Sequence, residues 1–261
     1  MGSEVLLSGI LVIILGLCVG SFLNVVICRF PKGESIVFPS SHCPICKYPI
    51  KAYDNIPILS WIILKGKCRK CNCRIPLRYP VIELTTGMLF GIQYFLYLKN
   101  FSSNLELIPL FIFVSVLYSQ SVIDIETQML PFSLSLFGIF TGLLWALFRN
   151  TWWDYYLACA AGFAIMGMIG LVGKYIYKKE AMGGGDLVFA AFLGSFLGVK
   201  NMVTALFIAF FVSGIFAIFF LVSGMKGRKD EFPLGPFLAL GGFLSQPFMN
   251  ISEGLRKYFG F

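Results

Sequence analysis

Charge is scarce in this chain: 13% of its residues are Asp, Glu, Lys or Arg, against 57% that are hydrophobic. With a mean hydropathy of +0.81, that scarcity excludes an ordinary soluble domain and puts the chain in a bilayer. A basic leader ahead of the first apolar stretch is also missing. That stretch, Val5 to about Ile27, is long enough to span, so it reads as a retained helix rather than a cleavable signal peptide. No internal repeat is visible, which speaks against a proton-coupled transporter built from paired broken helices. Histidine is limited to His42, whose position beside Cys43 reads as a solvated neighbour and not a fifth metal ligand.

What is present is a series of apolar segments. Judged against the roughly 20 residues needed to cross about 30 Å of hydrocarbon, they fall near 5–27, 80–98, 107–123, 132–148, 155–177, 187–199, 202–224 and 234–250. The fold class expected is therefore an all-α polytopic membrane protein of about eight transmembrane helices. The sixth segment is short, about 20 Å at ~1.5 Å per residue, and must thin the bilayer, extend into its glycine-rich approach, or re-enter.

Basic residues orient the spans, because basic loops stay on the cytoplasmic side. Ten Lys and Arg fall in 29–79, three in 174–179 and three in 226–229; the other side holds Lys99, Arg149, Lys200, Arg256 and Lys257. Both termini are therefore expected outside. The net charge of +8 reads as this topology signal, and no nucleic-acid partner is expected.

Residues 29–79 form the one sizeable soluble piece, with Cys43-Pro-Ile-Cys46 and Cys68-Arg-Lys-Cys71-Asn-Cys73. Two CxxC turns suit a zinc ribbon in which Cys43, Cys46, Cys68 and Cys71 hold a structural zinc ion. Such a loop draws much of its order from the metal. Disulfides are the alternative, disfavoured in a reducing cytoplasm, and Cys73 competes with Cys71 as the fourth ligand.

Carboxylates at a membrane boundary are expensive and usually functional. Asp124 follows the third apolar segment, and Asp186 ends Met182-Gly-Gly-Gly-Asp at the start of the sixth. The charge-based topology, which used neither, puts both on the cytoplasmic side. Two close carboxyls share a proton, one activating water and the other polarising a peptide carbonyl. Gly183, Gly184 and Gly185 permit positive φ and close backbone approach. The bland reading is that Asp186 caps a helix and Asp124 lies in a solvated loop with Glu126.

Gly183-Gly-Gly-Asp186 matches the GxGD signature, and Asp124 stands six residues before Leu130-Pro131. Gly20-Ser-Phe-Leu-Asn24, Arg29-Phe-Pro31, the paired CxxC turns, Tyr53-Asp-Asn-Ile-Pro57 and Arg78-Tyr-Pro-Val-Ile-Glu-Leu-Thr-Thr-Gly87 accompany them. In these stretches the chain resembles the bacterial type IV prepilin peptidases, GxGD aspartyl proteases. Phe132 departs from the family pattern, which has Asp after the Leu-Pro, and Cys73-Arg74 departs in the second knuckle.

The resemblance implies cleavage of type IV prepilin and type II secretion pseudopilin leaders after glycine. It also implies N-methylation of the new terminus with S-adenosylmethionine. Asp124 and Asp186 are then the protease pair, and the four cysteines belong to the part associated with methylation. The implied division is a first helix (1–28), a cytoplasmic Cys-rich domain (29–79) and a membrane protease domain (80–261), in the inner membrane with the active site facing the cytoplasm. A prepilin, basic outside the bilayer and apolar within it, puts its scissile bond at that same boundary. Glu126 and Glu180 are candidates to attract its basic leader. A metal-binding scaffold with idle aspartates is the remaining alternative.

Overall fold

The structure, a computed structural model, describes residues 2–98, 107–178, 182–223 and 233–246. These residues are almost wholly helical outside the Cys-rich segment. Glu180 and the Lys226, Arg228, Lys229 cluster lie outside the described residues. The chain divides into two compact units, Met1–Leu107 and Ile108–Phe261.

In the first unit, α1 (Gly2–Arg29) and α3 (Arg78–Leu98) are antiparallel helices that meet through small residues. A Cβ added at Gly16 would lie 2.8 Å from the Gly87 Cα, and one at Gly20 would lie 2.7 Å from the Glu83 Cα. One turn further along α1, Asn24 Nδ2 donates to the Tyr79 carbonyl at 3.1 Å. Small residues at this spacing let helix backbones approach where lipid supplies no hydrophobic drive. The stretches Gly20–Asn24 and Arg78–Gly87, singled out in the sequence, therefore line one helix–helix interface. The helix Arg78–Leu98, with which the expected protease domain begins, packs on α1 in this unit.

Between the two helices lie 3₁₀ turns at Phe30–Lys32 and Ala52–Asp54 and the short α2 (Leu59–Ile63). Two antiparallel bridges, His42 with Pro49 and Lys67 with Arg74, close a pair of small hairpins around the cysteines.

The second unit contains α4 (Leu107–Thr127), α5 (Phe132–Ala146), α6 (Trp152–Tyr177), α7 (Gly184–Val222) and α8 (residues 235–246). Helix contacts again run through glycine: a Cβ on Gly194 would sit 2.3 Å from the Ala158 carbonyl oxygen, and one on Gly241 2.2 Å from that of Ala205. Phe113, Phe189, Phe192 and Phe196 are fully buried between the helices. Large apolar side chains such as Phe140, Leu157, Phe207 and Phe211 are exposed, as lipid-facing residues would be.

Five helices among the described residues, α1, α3, α4, α6 and α7, are long and apolar enough to cross a membrane, while α5 is shorter at 15 residues. The expected segments 187–199 and 202–224 occur as one 39-residue helix, α7, broken internally at Gly198 (φ 72°, ψ 171°). Only glycine adopts that backbone without penalty. The Val199 N–H, freed by the break, donates to Asp154 Oδ2 of α6 at 3.3 Å. The break and its polar partner thus come from different helices.

Candidate active site and metal centre

Asp124 lies in the last turn of α4, one turn beyond the boundary expected from hydropathy. The helix continues to Thr127 and closes when Gln128 takes φ 53° and its N–H donates to the Asp124 carbonyl at 2.9 Å. An acidic side chain in a C-terminal turn opposes the helix dipole, so local helix energetics do not explain it. Its carboxyl is not in a solvated loop: Asp124 is 5% exposed. Oδ2 accepts a hydrogen bond from the Gly235 N–H, at the first residue of α8, at 2.8 Å. A Cβ on Gly235 would stand 2.7 Å from that oxygen, so glycine is required for the approach.

Asp186 lies in the first turn of α7 and is half-buried. The N-cap is Gly183, and no side chain caps it, so Asp186 is not itself the helix cap. Its carboxyl instead reaches back to the Gly183 backbone and interacts electrostatically with Asp124. The approach of the two segments has a visible cause. A Cβ on Gly185 would fall 2.6 Å from Leu130 Cβ, and one on Gly184 3.1 Å from the Phe132 ring. The glycine run is thus pressed against the loop that follows α4. Positive φ, one expected use of these glycines, is not used: Gly183 has φ −72°, and the positive-φ glycines among the described residues are Gly33, Gly66 and Gly198. Close backbone approach is the use that remains.

The cysteine hairpins repeat one another bond for bond. In the first, the Cys43 N–H donates to the Tyr48 carbonyl, that of Lys47 to Cys43 and that of Ile50 to Ser41; in the second, Cys68 pairs with Cys73, Asn72 with Cys68 and Ile75 with Gly66. Lys47 and Asn72 share φ 57°. Under this correspondence Cys43 matches Cys68, Cys46 matches Cys71, and Cys73 matches Tyr48.

The electrostatics follow the same repeat. The Cys46 N–H, opposed by partial burial and joined by the Ile45 N–H, brings the Cys43 thiol down to about 6. The N–H groups of Cys71 and Lys70 lower the Cys68 thiol. Backbone donors aimed at sulfur favour the thiolate, which is the metal-binding form.

The sulfurs of Cys43, Cys46, Cys68 and Cys71 lie within 4.8 Å of one another and can hold a metal ion. The Cys43–Cys71 and Cys46–Cys68 separations are 3.8 and 4.0 Å. Tetrahedral zinc with bonds of ~2.3 Å would put its sulfurs roughly 3.8 Å apart, so the donor set fits. Cys73 Sγ stands 3.4 Å from Cys43 Sγ, but the repeat gives the ligand position to Cys71. Arg69 of the second hairpin donates to Asp54, in the 3₁₀ turn that follows the first, with bonds of 2.6 and 3.0 Å, and the guanidinium holds the Asp54 carboxyl below the usual carboxylate range.

Sequence reasoning missed Gly235 as a partner of Asp124. Its signal was Pro233-Leu-Gly-Pro236, prolines flanking a helix start. It also gave no partner to Glu83, whose buried Oε2 accepts the Ile58 N–H at 2.7 Å.

Residues 14–97 match the model of the Bacterial Peptidase A24 N-terminal domain, and residues 111–218 that of the Type IV leader peptidase family. The chain is 38% identical over 228 residues to a Myxococcus xanthus (strain DK1622) protein named Prepilin leader peptidase/N-methyltransferase, covering 86% of this chain and 67% of that relative. Relatives of the same name from Neisseria gonorrhoeae and Bacillus subtilis (strain 168) are 35% and 32% identical, covering 88% and 89% of this chain and 87% and 91% of the relatives. No solved structure matches.

Proposed function

This chain belongs to the type IV leader peptidase family, and from that premise we propose that Asp124 and Asp186 are its proteolytic pair. Its function is to cleave prepilin leaders and to N-methylate the exposed terminus. The single observation that supports the residue assignment is the seating of Gly185 against Leu130, which brings the first turn of α7 with Asp186 to the loop that follows Asp124. In the reaction the ionised aspartate takes a proton from water as it attacks the scissile carbonyl. The protonated partner hydrogen-bonds the carbonyl oxygen and then passes its proton to the leaving amine. The Gly235 N–H holds Asp124 in place without spending the outer oxygen.

We assign a structural zinc ion to Cys43, Cys46, Cys68 and Cys71; when bound it fixes the two hairpins to each other. The same reading has eight membrane crossings, with α7 counted as two at Gly198 and with α5 and α8 as short spans. Both termini lie outside and the aspartates face the cytoplasm of the inner membrane, among lipid, as the distribution of Lys and Arg supports. The four cysteines then serve the methylation half, with S-adenosylmethionine as donor.

Mass spectrometry of a prepilin peptide incubated with the purified chain and labelled methyl donor reports both reactions. Loss of the leader plus one methyl group is the expected product, and an intact peptide would contradict the reading.

A further inference from the structure

The first unit contains a cavity of about 420 Å³ between the C-terminal half of α1 and the Cys-rich segment. We propose that it is the binding site for S-adenosylmethionine, with Glu83 as the residue that holds its wall in position. This rests on the methyltransferase half of the function above.

The volume falls in the roughly 300–1,000 Å³ range of small-molecule pockets. The lining is mixed: Phe22 offers an apolar ring, Ser21, Ser41 and Asn55 offer hydrogen-bonding groups, and Arg29 offers a guanidinium. Those chemistries match the parts of the donor. A guanidinium fork suits the carboxylate of its amino-acid end. An aromatic face suits a purine or, by cation–π attraction, a sulfonium. Hydroxyls and an amide suit the ribose and purine edges. One Arg29 Nη donates to the Ser35 carbonyl at 3.0 Å, which fixes the head group.

The wall is built rigidly. Ile58 has φ 60°, a conformation costly for a β-branched residue and a mark of functional constraint when its surroundings enforce it. The enforcing group is Glu83 on α3. Its carboxyl accepts the Ile58 N–H at 2.7 Å and a hydrogen bond from Ser21 of α1. Ser60 completes the clamp, accepting the Ile56 N–H and donating to the Tyr53 carbonyl, both at 3.0 Å. Asn55 and Pro57, the cavity wall, lie between these anchors. Glu83 also brings a buried carboxyl group next to the lining residue Ser21. In the transfer, the lone pair of the peptide's deprotonated terminal amine forms the N–C bond. The C–S bond breaks onto sulfur to leave S-adenosylhomocysteine, and the amine proton goes to water.

The test titrates S-adenosylhomocysteine into the zinc-loaded full chain in nanodiscs by calorimetry, for wild type, Asn55→Trp and Glu83→Gln. Asn55→Trp fills the cavity and is expected to weaken binding at least tenfold while leader cleavage stays within twofold. Glu83→Gln is expected to weaken binding likewise, again sparing cleavage. A photoreactive adenosyl analogue on wild type should label segments 21–29 and 55–57, a readout independent of variant folding. Labelling elsewhere, or wild-type affinity in both variants, overturns the site while leaving the methyltransferase intact. A wild-type chain that neither binds nor methylates overturns the transferase reading, and the site with it.

Discussion

The Cys-rich hairpins and the helices of the second unit solve the same problem, fixing chemistry-bearing side chains, by opposite means. The hairpins have little apolar interior. Their shape comes from a doubled set of backbone hydrogen bonds, one bidentate ion pair and four convergent sulfurs. The helices have few polar ties; their geometry comes from glycines that let backbones and rings close to contact. A metal-dependent region should be breakable by chelation, and a glycine-packed one by a single added side chain.

The largest contrast should follow metal removal. Stripping the metal with a strong chelator is expected to disorder the hairpins and lower methylation at least 100-fold, with helical content by circular dichroism unchanged. Equal loss of helix signal would erase the distinction. Gly185→Leu should do the converse: overpacking against Leu130 costs about 1–3 kcal/mol, enough to slow leader cleavage roughly 5- to 150-fold, while metal content by mass spectrometry stays at one ion per chain.

Smaller effects sharpen the picture within the hairpins. Cys71→Ser should release the metal and Cys73→Ser should retain it, since the repeat matches Cys73 to Tyr48; the reverse result would make the repeat irrelevant to ligation. Asp54→Asn is the mildest, below about 1 kcal/mol for a pair whose Arg69 is 47% exposed. The sign is fixed by the lowered pKa of Asp54. The pair contributes fully above the ordinary carboxylate pKa of about 3.9 and is lost as pH falls through the lower value of the folded loop. Hairpin stability of wild type and variant should therefore converge in acid.

Much of this was legible in the sequence because it is local. Asp124, Asp186 and the cysteine turns announce themselves by cost: carboxylates beside lipid and thiols in pairs need a reason. The short sixth segment foreshadowed the Gly198 break, since hydropathy falls where Lys200 interrupts it. Contacts between distant positions were hidden. Nothing near Asp124 points to the Gly235 N–H, nothing near Gly198 points to Asp154, and nothing near Glu83 points to the Ile58 N–H that it accepts. The glycine triplet was read for positive φ and for close backbone approach; the second is its use, but the contact it serves, with Leu130 and Phe132, is invisible without the partner.

The most direct trial of the central claim is single-turnover cleavage of a prepilin peptide by Asp124→Asn and Asp186→Asn, with methylation of a pre-cleaved peptide and bound metal measured on the same samples. If the two carboxyls work as one device, each variant loses cleavage by at least about 10³-fold while methylation and metal persist. Cleavage surviving near the wild-type rate in either variant would contradict it.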